Sequence, residues 1–403
     1  MSVVPDAMLA RSSRTFALSL VAFATFTDIV AYSVAVPVLP DLTQKLGGSA
    51  TTLGLLFAAF GGAALLVAIP MGAVSDRIGR KGPLGGGLVV LAIATLMLAY
   101  AQTLPLIFAA RLVQGAADAV TWVVGFALLA DTYEPEERGR VSGIVMSGAS
   151  SAYVVGPSLG GWLYEVGGLR LPFLAVAAMS AAAAVATFWL KPPQTQAPRE
   201  RVPVLSVLRV PAVGACAAAV VLAAATVSML EPVLGLHLQQ LGLNPGRIGL
   251  VFGSAAVASA TLHPLYGRLS DRFGARRLTL WGLVLSACVM PLMGLIVSFA
   301  SAIPIFIVQT AILALVIAPS LAYMGEATSG AGLGSFGVAY GLYNVAWGVG
   351  MLAGPALGGF LFERVGFGRL PLWWSPAVLV LTALVARVRY GSQRDIAGSA
   401  TIL

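Results

Sequence analysis

Four ionisable side chains interrupt long apolar stretches of this sequence. Asp28, Asp118 and Glu231 are acids, and Arg111 is the one base among them. A charge near the centre of a lipid bilayer costs a few kcal/mol even on the mildest scale, so such groups normally face a cavity or a partner. Burial disfavours the ionised form of a carboxyl group, which makes protonation near neutral pH possible. A carboxyl group that holds either a proton or a cation, but never both, couples the two ligands by competition.

Asp28 and Glu231 are the leading candidates for such coupling, although Asp28 could instead make a structural hydrogen bond to a neighbouring helix. Glu231 precedes Pro232, which frees a backbone carbonyl and bends the helix. Arg111 and Asp118 are seven residues apart and therefore lie near one helix face, two turns apart. We interpret Arg111 as a cavity charge that tunes its neighbours rather than as an anion ligand. Asp118 either offsets Arg111 or holds an interhelical hydrogen bond.

An aromatic stripe near residue 340 could complete a cation site. Its members recur at the spacing i, i+3, i+4 and i+7, which places them on one helix face. They are Tyr340, Tyr343, Asn344 and Trp347. Aromatic rings beside a carboxylate bind an organic cation through the ring quadrupole. Tyr32, one turn after Asp28, could join the same cavity. The alternative for the stripe is ordinary helix packing or a belt at the lipid interface.

The composition indicates which elements position these residues. The 403 residues are 58% hydrophobic and 10% charged, with a mean hydropathy of +0.91. Soluble domains carry about 25% charged residues, and no water-soluble fold of this length could bury so much apolar sequence. Each apolar stretch reaches the ~17–25 residues that cross a bilayer as a helix. The twelve predicted spans are roughly 17–39, 51–73, 85–102, 105–130, 141–164, 171–190, 211–236, 247–269, 278–299, 303–324, 336–362 and 370–388.

The basic residues predict how the chain is oriented. An even number of spans places both termini on one side. That side holds 18 of the 24 Lys and Arg residues, and the opposite side holds five. Cytoplasmic loops are enriched in Lys and Arg, so both termini are predicted to be cytoplasmic. The net charge of +8 is therefore a topology signal, and nucleic acid is not an expected partner.

Internal similarity predicts two six-helix units in the same orientation. Residues 72–79 resemble residues 267–274 at an offset of 195, and residues 156–161 resemble residues 354–359 at an offset of 198. We predict an N-terminal bundle over 1–190, a cytoplasmic linker over 191–210 and a C-terminal bundle over 211–403. A parallel repeat of this kind places a substrate site near the midplane, between halves that rock about it.

The repeated segments contain the candidate gating residues. The segment 72–83 reads GAVSDRIGRKGP, in which glycine permits a tight turn and Asp76 can cap a helix or pair with a neighbouring arginine. It is either a positively charged loop or a latch that holds the halves together on the cytoplasmic face. The gating candidates are Gly72, Asp76, Arg77, Gly79, Arg80, Asp271, Arg272, Gly156, Pro157, Gly354 and Pro355.

Four segments together resemble the major facilitator superfamily. G-x-x-x-D-R-x-G-R-K at 72–81 resembles its signature loop, and R-x-x-Q-G at 111–115, Gly148 with 156–161, and DIVAYSVAVPVLP at 28–40 resemble motifs of its 12-helix drug:proton antiporter branch. Within that branch, SMLEPVL at 228–234 is similar to the vesicular monoamine transporters and their bacterial relatives. The resemblance implies that Asp28 and Glu231 bind a cationic substrate and couple it to protons.

We therefore expect an exporter that exchanges protons for lipophilic, cationic small molecules. The alternative is an uptake symporter or facilitator for a small metabolite, such as an anion that uses Arg111. A membrane sensor without transport activity is a third class. The sequence has no GxxxxGK[ST] motif, so ATP-driven transport is not expected.

The remaining expectations concern partners and location. The expected partners are a small-molecule substrate, protons and the lipid bilayer, for a chain that acts as a monomer. No cofactor, metal or enzymatic activity is expected, and Cys216 and Cys288 are interpreted as small core residues. Short loops favour a bacterial inner membrane.

Overall fold

The computed structural model describes residues 3–191, 210–330 and 336–388, so most of the predicted linker lies outside the described residues. Those ranges form thirteen α-helices. They are α1 Val3–Ser33, α2 Ala35–Lys45, α3 Ala50–Ile78, α4 Lys81–Ala99, α5 Leu104–Thr132, α6 Pro135–Gly167, α7 Arg170–Ala186, α8 Pro211–Gln240, α9 Pro245–Phe273, α10 Ala275–Val289, α11 Phe299–Gly330, α12 Phe336–Val365 and α13 Leu370–Arg387. Short 3₁₀ segments, Thr187–Trp189 and Met290–Leu295, extend α7 and α10.

Because α1 and α2 form one continuous apolar segment, Ser12–Lys45, these helices make twelve membrane-length units. The predicted twelve-helix, all-α architecture is thus confirmed. Within the described ranges, eleven units are long and apolar enough to span a membrane. The exception is α6, which has 33 residues but is rich in Ser and Gly. It corresponds to the predicted span 141–164 and packs between α1 and α9 inside the bundle.

The first predicted span, 17–39, is too short and misses a break. The helix axis is interrupted at Val34 and continues to Lys45, which leaves a connection of only a few residues before α3. Pro37 lacks the N–H group that would bond the carbonyl of Ser33, and its ring crowds that carbonyl. The Ser33 hydroxyl meanwhile donates to the carbonyl of Ile29 at 2.6 Å. The bend therefore falls shortly after Asp28.

The two halves meet through equivalent pairs of helices. Helix α3 of the first half packs against α12 of the second half, and α6 of the first half packs against α9 of the second half. By the internal repeat, α3 corresponds to α9 and α6 to α12, so the two contacts are related by the pseudo-symmetry of the chain. A further contact joins α2 to α8. The space between the halves is therefore walled by helices of both repeats.

Glycines bring the halves into close contact at the end of the bundle that carries the loops near residues 47 and 242. A Cβ atom on Gly54 would lie 2.2 Å from the carbonyl oxygen of Pro355, and one on Gly249 would lie 2.3 Å from that of Pro157. Gly161 approaches the Pro245 carbonyl equally closely, at 2.2 Å. The Gly-Pro segments that were predicted to be gates thus lie where the two halves close on each other.

The opposite end of the same helices is open. Among the described residues, no heavy atom lies within 4 Å of a Cβ placed on Gly143 of α6, Gly267 of α9 or Gly341 of α12. At Gly72 of α3 the nearest atom, 3.6 Å away, belongs to Val123 of the same half. The halves therefore diverge from the closed end, and a cavity opens toward the end that carries the signature loop at 79–80.

Candidate functional site

Arg111 is fully buried on α5, with 0% of its surface exposed. Its Nη1 donates to Oε1 of Gln114 at 2.6 Å, and its Nε donates to the carbonyl oxygen of Leu56 at 3.3 Å. The R-x-x-Q-G motif produces this geometry, because a Cβ on Gly115 would come within 2.1 Å of the backbone of Phe60 on α3. The glycine lets α5 approach α3 closely enough for the guanidinium to reach a backbone carbonyl.

Three aromatic rings enclose the Arg111 guanidinium. Its central carbon lies 4.7 Å from the ring centre of Phe60, 5.0 Å from that of Phe57 and 5.3 Å from that of Tyr32. The ring faces stabilise a desolvated cation through their quadrupoles. Arg111 makes no ion pair within the described part of the chain. Its charge is therefore held in place by rings, an amide and a carbonyl.

Glu231 on α8 receives a hydrogen bond from the hydroxyl group of Tyr32 on α1. This contact joins the two halves across 199 positions of sequence. Pro232 cannot bond the carbonyl of Ser228, and the Ser228 hydroxyl donates to the Ala224 carbonyl at 2.7 Å. Glu231 is half-buried although it lies deep in the bundle, as expected for a residue that lines an internal cavity.

Asp28 and Asp118 lie together in the first half. The side-chain carboxyl of Asp118 is within hydrogen-bonding reach of that of Asp28. Asp118 was predicted either to offset Arg111 or to make an interhelical hydrogen bond. It forms no ion pair with Arg111 in the described structure, although it remains within Coulombic range of that group. Its immediate neighbour is instead the second acid, Asp28.

Two residues of this cluster were missed by sequence reasoning. Trp122, one helical turn after Asp118, donates its Nε1 hydrogen to Oδ2 of Asp28 at 3.1 Å and stacks on Phe126 with ring centres 5.7 Å apart. Tyr153 on α6 lies within Coulombic range of all three acids. The one-turn spacing from Asp118 could have identified Trp122. No local pattern marks Tyr153, because its role depends on how α6 packs.

Only part of the aromatic stripe of α12 lies among the described side chains. Tyr343 and Trp347 stack with ring centres 6.0 Å apart, and the Ser320 hydroxyl of α11 donates to the Tyr343 oxygen at 3.2 Å. Tyr343 lies within Coulombic range of Tyr153, which links the stripe to the acids. Asn344 is exposed. Tyr340 lies on α12, and its side chain is outside the described residues.

The signature loop forms a charged cluster within the first half. Arg80 donates through Nη1 to Oδ1 of Asp76 and to the Ser75 hydroxyl, each at 2.7 Å, and through Nε to Oδ2 of Asp131 at 2.8 Å. Burial lowers the pKa of Arg80, but hydrogen bonds and attraction from Asp131 and Asp76 outweigh it and raise the pKa above its ordinary value. Gly79 has φ +87°, which supports the predicted tight turn.

The second-half copy of the loop is built differently. Asp271 and Arg272 are exposed, and Arg272 stacks on the ring of Phe273 at 5.2 Å. The position equivalent to Arg80 is Ala275. Arg77 is exposed as well. In this conformation the signature loop ties α3 to α5 of its own half. Asp131, at the end of α5, is a partner that sequence reasoning missed.

Polar contacts complete the closed end. Tyr164 donates to Asp41, which also pairs with Lys45 at 2.7 Å. Between the halves, the side-chain amide of Gln239 donates to Oε1 of Gln44 at 2.8 Å, and the backbone N–H of Thr51 donates to Oε2 of Glu363 at 3.1 Å. Two shallow cavities of about 340 and 330 Å³ open at this end. Neither cavity is lined by a predicted coupling residue.

Two bundles of membrane helices that close at one end over buried charges define a multi-pass membrane transporter. The model of the Major Facilitator Superfamily matches residues 21–216 and again residues 216–399. The chain belongs to this superfamily, and the double match confirms its two repeats. Members of the superfamily transport solutes and are not enzymes.

Individual relatives agree with this assignment. The chain is 26% identical over 398 residues to the human MFS-type transporter SLC18B1, covering 94% of this chain and 86% of that protein. It is 30% identical over 335 residues to the bovine synaptic vesicular amine transporter, covering 81% of this chain but only 64% of that protein. In fold it resembles an inward-facing, unoccupied bacterial homolog of the human lysosomal transporter Spinster. That likeness has a TM-score of 0.76 at 15% identity, over 93% of this chain and 95% of the other.

Proposed function

We propose that this transporter exports lipophilic organic cations in exchange for protons. The observation that carries this proposal is the hydrogen bond from Tyr32 to Glu231, which places a half-buried carboxyl group at the junction of the two halves. The similarity to the bovine amine transporter supports a cationic substrate.

The proton and the organic cation compete for the carboxyl group of Glu231. When its carboxyl group is ionised, it offers a negative charge to an organic cation, while the rings of Tyr343, Trp347 and Tyr153 offer their faces. When a proton binds, that attraction is lost and the cation is released. Exchange of one proton for one monovalent cation is driven by the pH difference, which supplies about 1.4 kcal/mol per pH unit. That amount corresponds to a tenfold substrate gradient per pH unit.

The distribution of Lys and Arg supports an orientation in which the open end faces the cytoplasm. The described conformation would then be inward-facing and ready to load an export substrate. The bundles over 1–190 and 211–403 would rock about the site while the linker over 191–210 tethers them on the cytoplasmic side. We further propose that the chain acts as a monomer in a bacterial inner membrane.

Reconstitution in liposomes that contain a pH-sensitive dye tests the proposal. Tetraphenylphosphonium is added as the probe cation, together with a panel of amines, and proton movement across the membrane is recorded. Cation-dependent proton movement is expected in the natural protein and is expected to disappear in Glu231→Gln and Asp28→Asn. Glu326→Gln is the matched control, because Glu326 is an exposed acid on α11 outside this cluster. Undiminished movement in both site variants would contradict the proposed coupling.

One observation favours a second candidate, an uptake symporter or facilitator for a small anionic metabolite. The Nη2 group of Arg111 is buried and has no hydrogen-bond acceptor within the described residues. An anion that reached it would complete its hydrogen bonding. Uptake of an anion that is abolished by Arg111→Gln, in vesicles that show no cation-dependent proton movement, would favour this candidate over export.

A further inference from the structure

Asp118 on α5 brings a second carboxyl group against Asp28 on α1. Trp122 donates to Oδ2 of Asp28, but Oδ1 is buried and receives no hydrogen bond from any described residue. Asp28 is only 1% exposed. An ionised carboxylate oxygen only accepts hydrogen bonds, so two such groups in contact need a hydrogen atom between them. A hydrogen atom held between Asp118 and Oδ1 of Asp28 therefore accounts both for the missing donor at Oδ1 and for the contact between the two acids.

We propose that Asp28 and Asp118 share one proton in this conformation, and that Asp118 is the group through which Asp28 exchanges that proton with the cavity. The role of Asp118 rests on the proton exchange proposed above. It adds a proton-binding pair in the first half, separate from Glu231 in the second half.

Electrostatics around the pair favour a shared proton. Two ionised carboxylates side by side in a low-dielectric interior repel each other, so the pair retains one proton. Arg111, the one base inside these helices, does not relieve this repulsion by contact, because it forms no ion pair with either acid in the described structure.

The other titratable groups that face the pair are acidic or phenolic. Tyr153 on α6 interacts with both acids of the pair, and it interacts in turn with Tyr32 on α1 and Glu231 on α8. The neighbouring helices α4 and α7 carry ionisable side chains only at their ends, namely Lys81 and Arg170. No cation within the described residues therefore contacts the pair in place of a proton.

The different exposure of the two acids assigns their roles. Asp28 is enclosed by its own helix and by Trp122, whereas Asp118 is half-buried at the cavity wall. A proton from the cavity reaches the carboxylate of Asp118 first. It then passes to Oδ1 of Asp28, while the oxygen of Asp118 that gave it up becomes the hydrogen-bond acceptor. Release follows the same two steps in reverse, and only a proton moves.

Infrared difference spectroscopy during pH jumps tests this pair on the purified, full-length protein without any substrate. A protonated-carboxyl band that shifts in deuterated buffer is expected in the natural protein. The contribution of the pair is expected to vanish in Asp118→Asn, leaving that of Glu231, because the amide donates to Oδ1 of Asp28 and replaces the shared proton. It should persist at a shifted frequency in Asp118→Glu and stay unchanged in Glu326→Gln. An unaltered band in Asp118→Asn would overturn the proposal.

Two further readings keep the test decisive. If Asp118→Asn does not fold, Asp118→Glu is compared with the natural protein instead. An unchanged band frequency in Asp118→Glu would then overturn the proposal. Stopped-flow proton uptake should be slower in Asp118→Asn by about a hundredfold, the scale of a positioned proton-transfer group. Failure of the two proposals is distinguishable, because the band requires no substrate. Cation export with an unaltered band rejects the pair alone, and the expected band without cation export rejects the exporter alone.

Discussion

The hydroxyl group of Tyr32 in the first half donates a hydrogen bond to Glu231 in the second. The same Tyr32 ring packs at 4.8 Å from Phe60 and faces the guanidinium of Arg111. One side chain thus contacts both the buried base and the acid of the opposite half. Any movement of the halves must act on this contact, which makes it the first target for mutation.

We expect Tyr32→Phe to weaken cation binding while leaving the fold intact. The ring and its packing are retained, but the ionised carboxylate of Glu231 loses a donor that stabilises it against protonation. A net hydrogen bond contributes about 0.5–1.5 kcal/mol, so the half-maximal cation concentration should rise about 2–10-fold. Dye-monitored exchange at several cation concentrations measures this change. Tyr100→Phe is the matched control, since Tyr100 is exposed at the end of α4; an equal effect in both variants would refute the assignment.

We expect that a lysine at position 111 cannot take over the role of Arg111. Its ammonium group cannot reproduce the planar stack on three rings together with the hydrogen bonds to Gln114 and Leu56. We expect Arg111→Lys to lower the midpoint of thermal unfolding in detergent and to abolish exchange. Arg170→Lys is the control, because Arg170 also stacks on a ring, 5.0 Å from Tyr100, but at an exposed position. Full activity in Arg111→Lys would show that a point charge alone suffices.

The close glycine contacts predict how the closed end can be forced open. In Gly54→Ala the new methyl group would overlap the Pro355 carbonyl oxygen, because the two atoms would be only 2.2 Å apart. We expect a larger separation between spin labels placed at Lys45 and Glu363, measured by double electron–electron resonance. Gly86→Ala on α4 has no described heavy atom within 4 Å of its Cβ and should leave the distance unchanged. Unchanged distances in both variants would exclude a steric role for Gly54.

The two signature loops should respond differently to neutralisation. The Asp131 side chain is 8% exposed and is one of two carboxylates that pair with Arg80, so Asp131→Asn weakens a charged hydrogen bond and should cost about 1.5–3 kcal/mol. Asp271→Asn removes an exposed acid and should cost little. Thermal unfolding in detergent measures both. Equal losses would contradict the asymmetry of the loops.

The pH dependence of this cluster follows from the direction of its pKa shift. Because the pKa of Arg80 is raised above its ordinary value, the contribution of Arg80 to stability is present below that ordinary pKa and is lost only as the pH rises through the still higher pKa of the folded state. The stability difference between the natural protein and Arg80→Gln should therefore be constant through the neutral and mildly alkaline range. A difference that declines with mildly alkaline pH would show that another group carries the interaction.

The lengths and hydropathy of the apolar stretches were sufficient to predict the twelve helices. The two sequence offsets, 195 and 198 residues, were sufficient to predict the two repeats. These properties are local or compare one segment with another, so no knowledge of packing is needed. The first span was predicted less well, since its break at Val34 reflects a competition between Pro37 and the backbone of Ser33. The less apolar α6 was also predicted as a span, over 141–164, and it packs between α1 and α9.

For the buried charges, the sequence predicted their position inside the helices but not their partners. The sequence by itself determined that Asp28, Arg111 and Glu231 lie inside apolar helices, because hydropathy alone reveals a charge in such a setting. Only the tertiary structure decided their partners: Tyr32 for Glu231, aromatic rings for Arg111, and Asp118 for Asp28. Each successive residue turns about 100° around a helix axis, so a partner is selected by helix rotation and by how closely glycines let helices approach. Both depend on packing between distant segments, which the one-dimensional pattern does not contain.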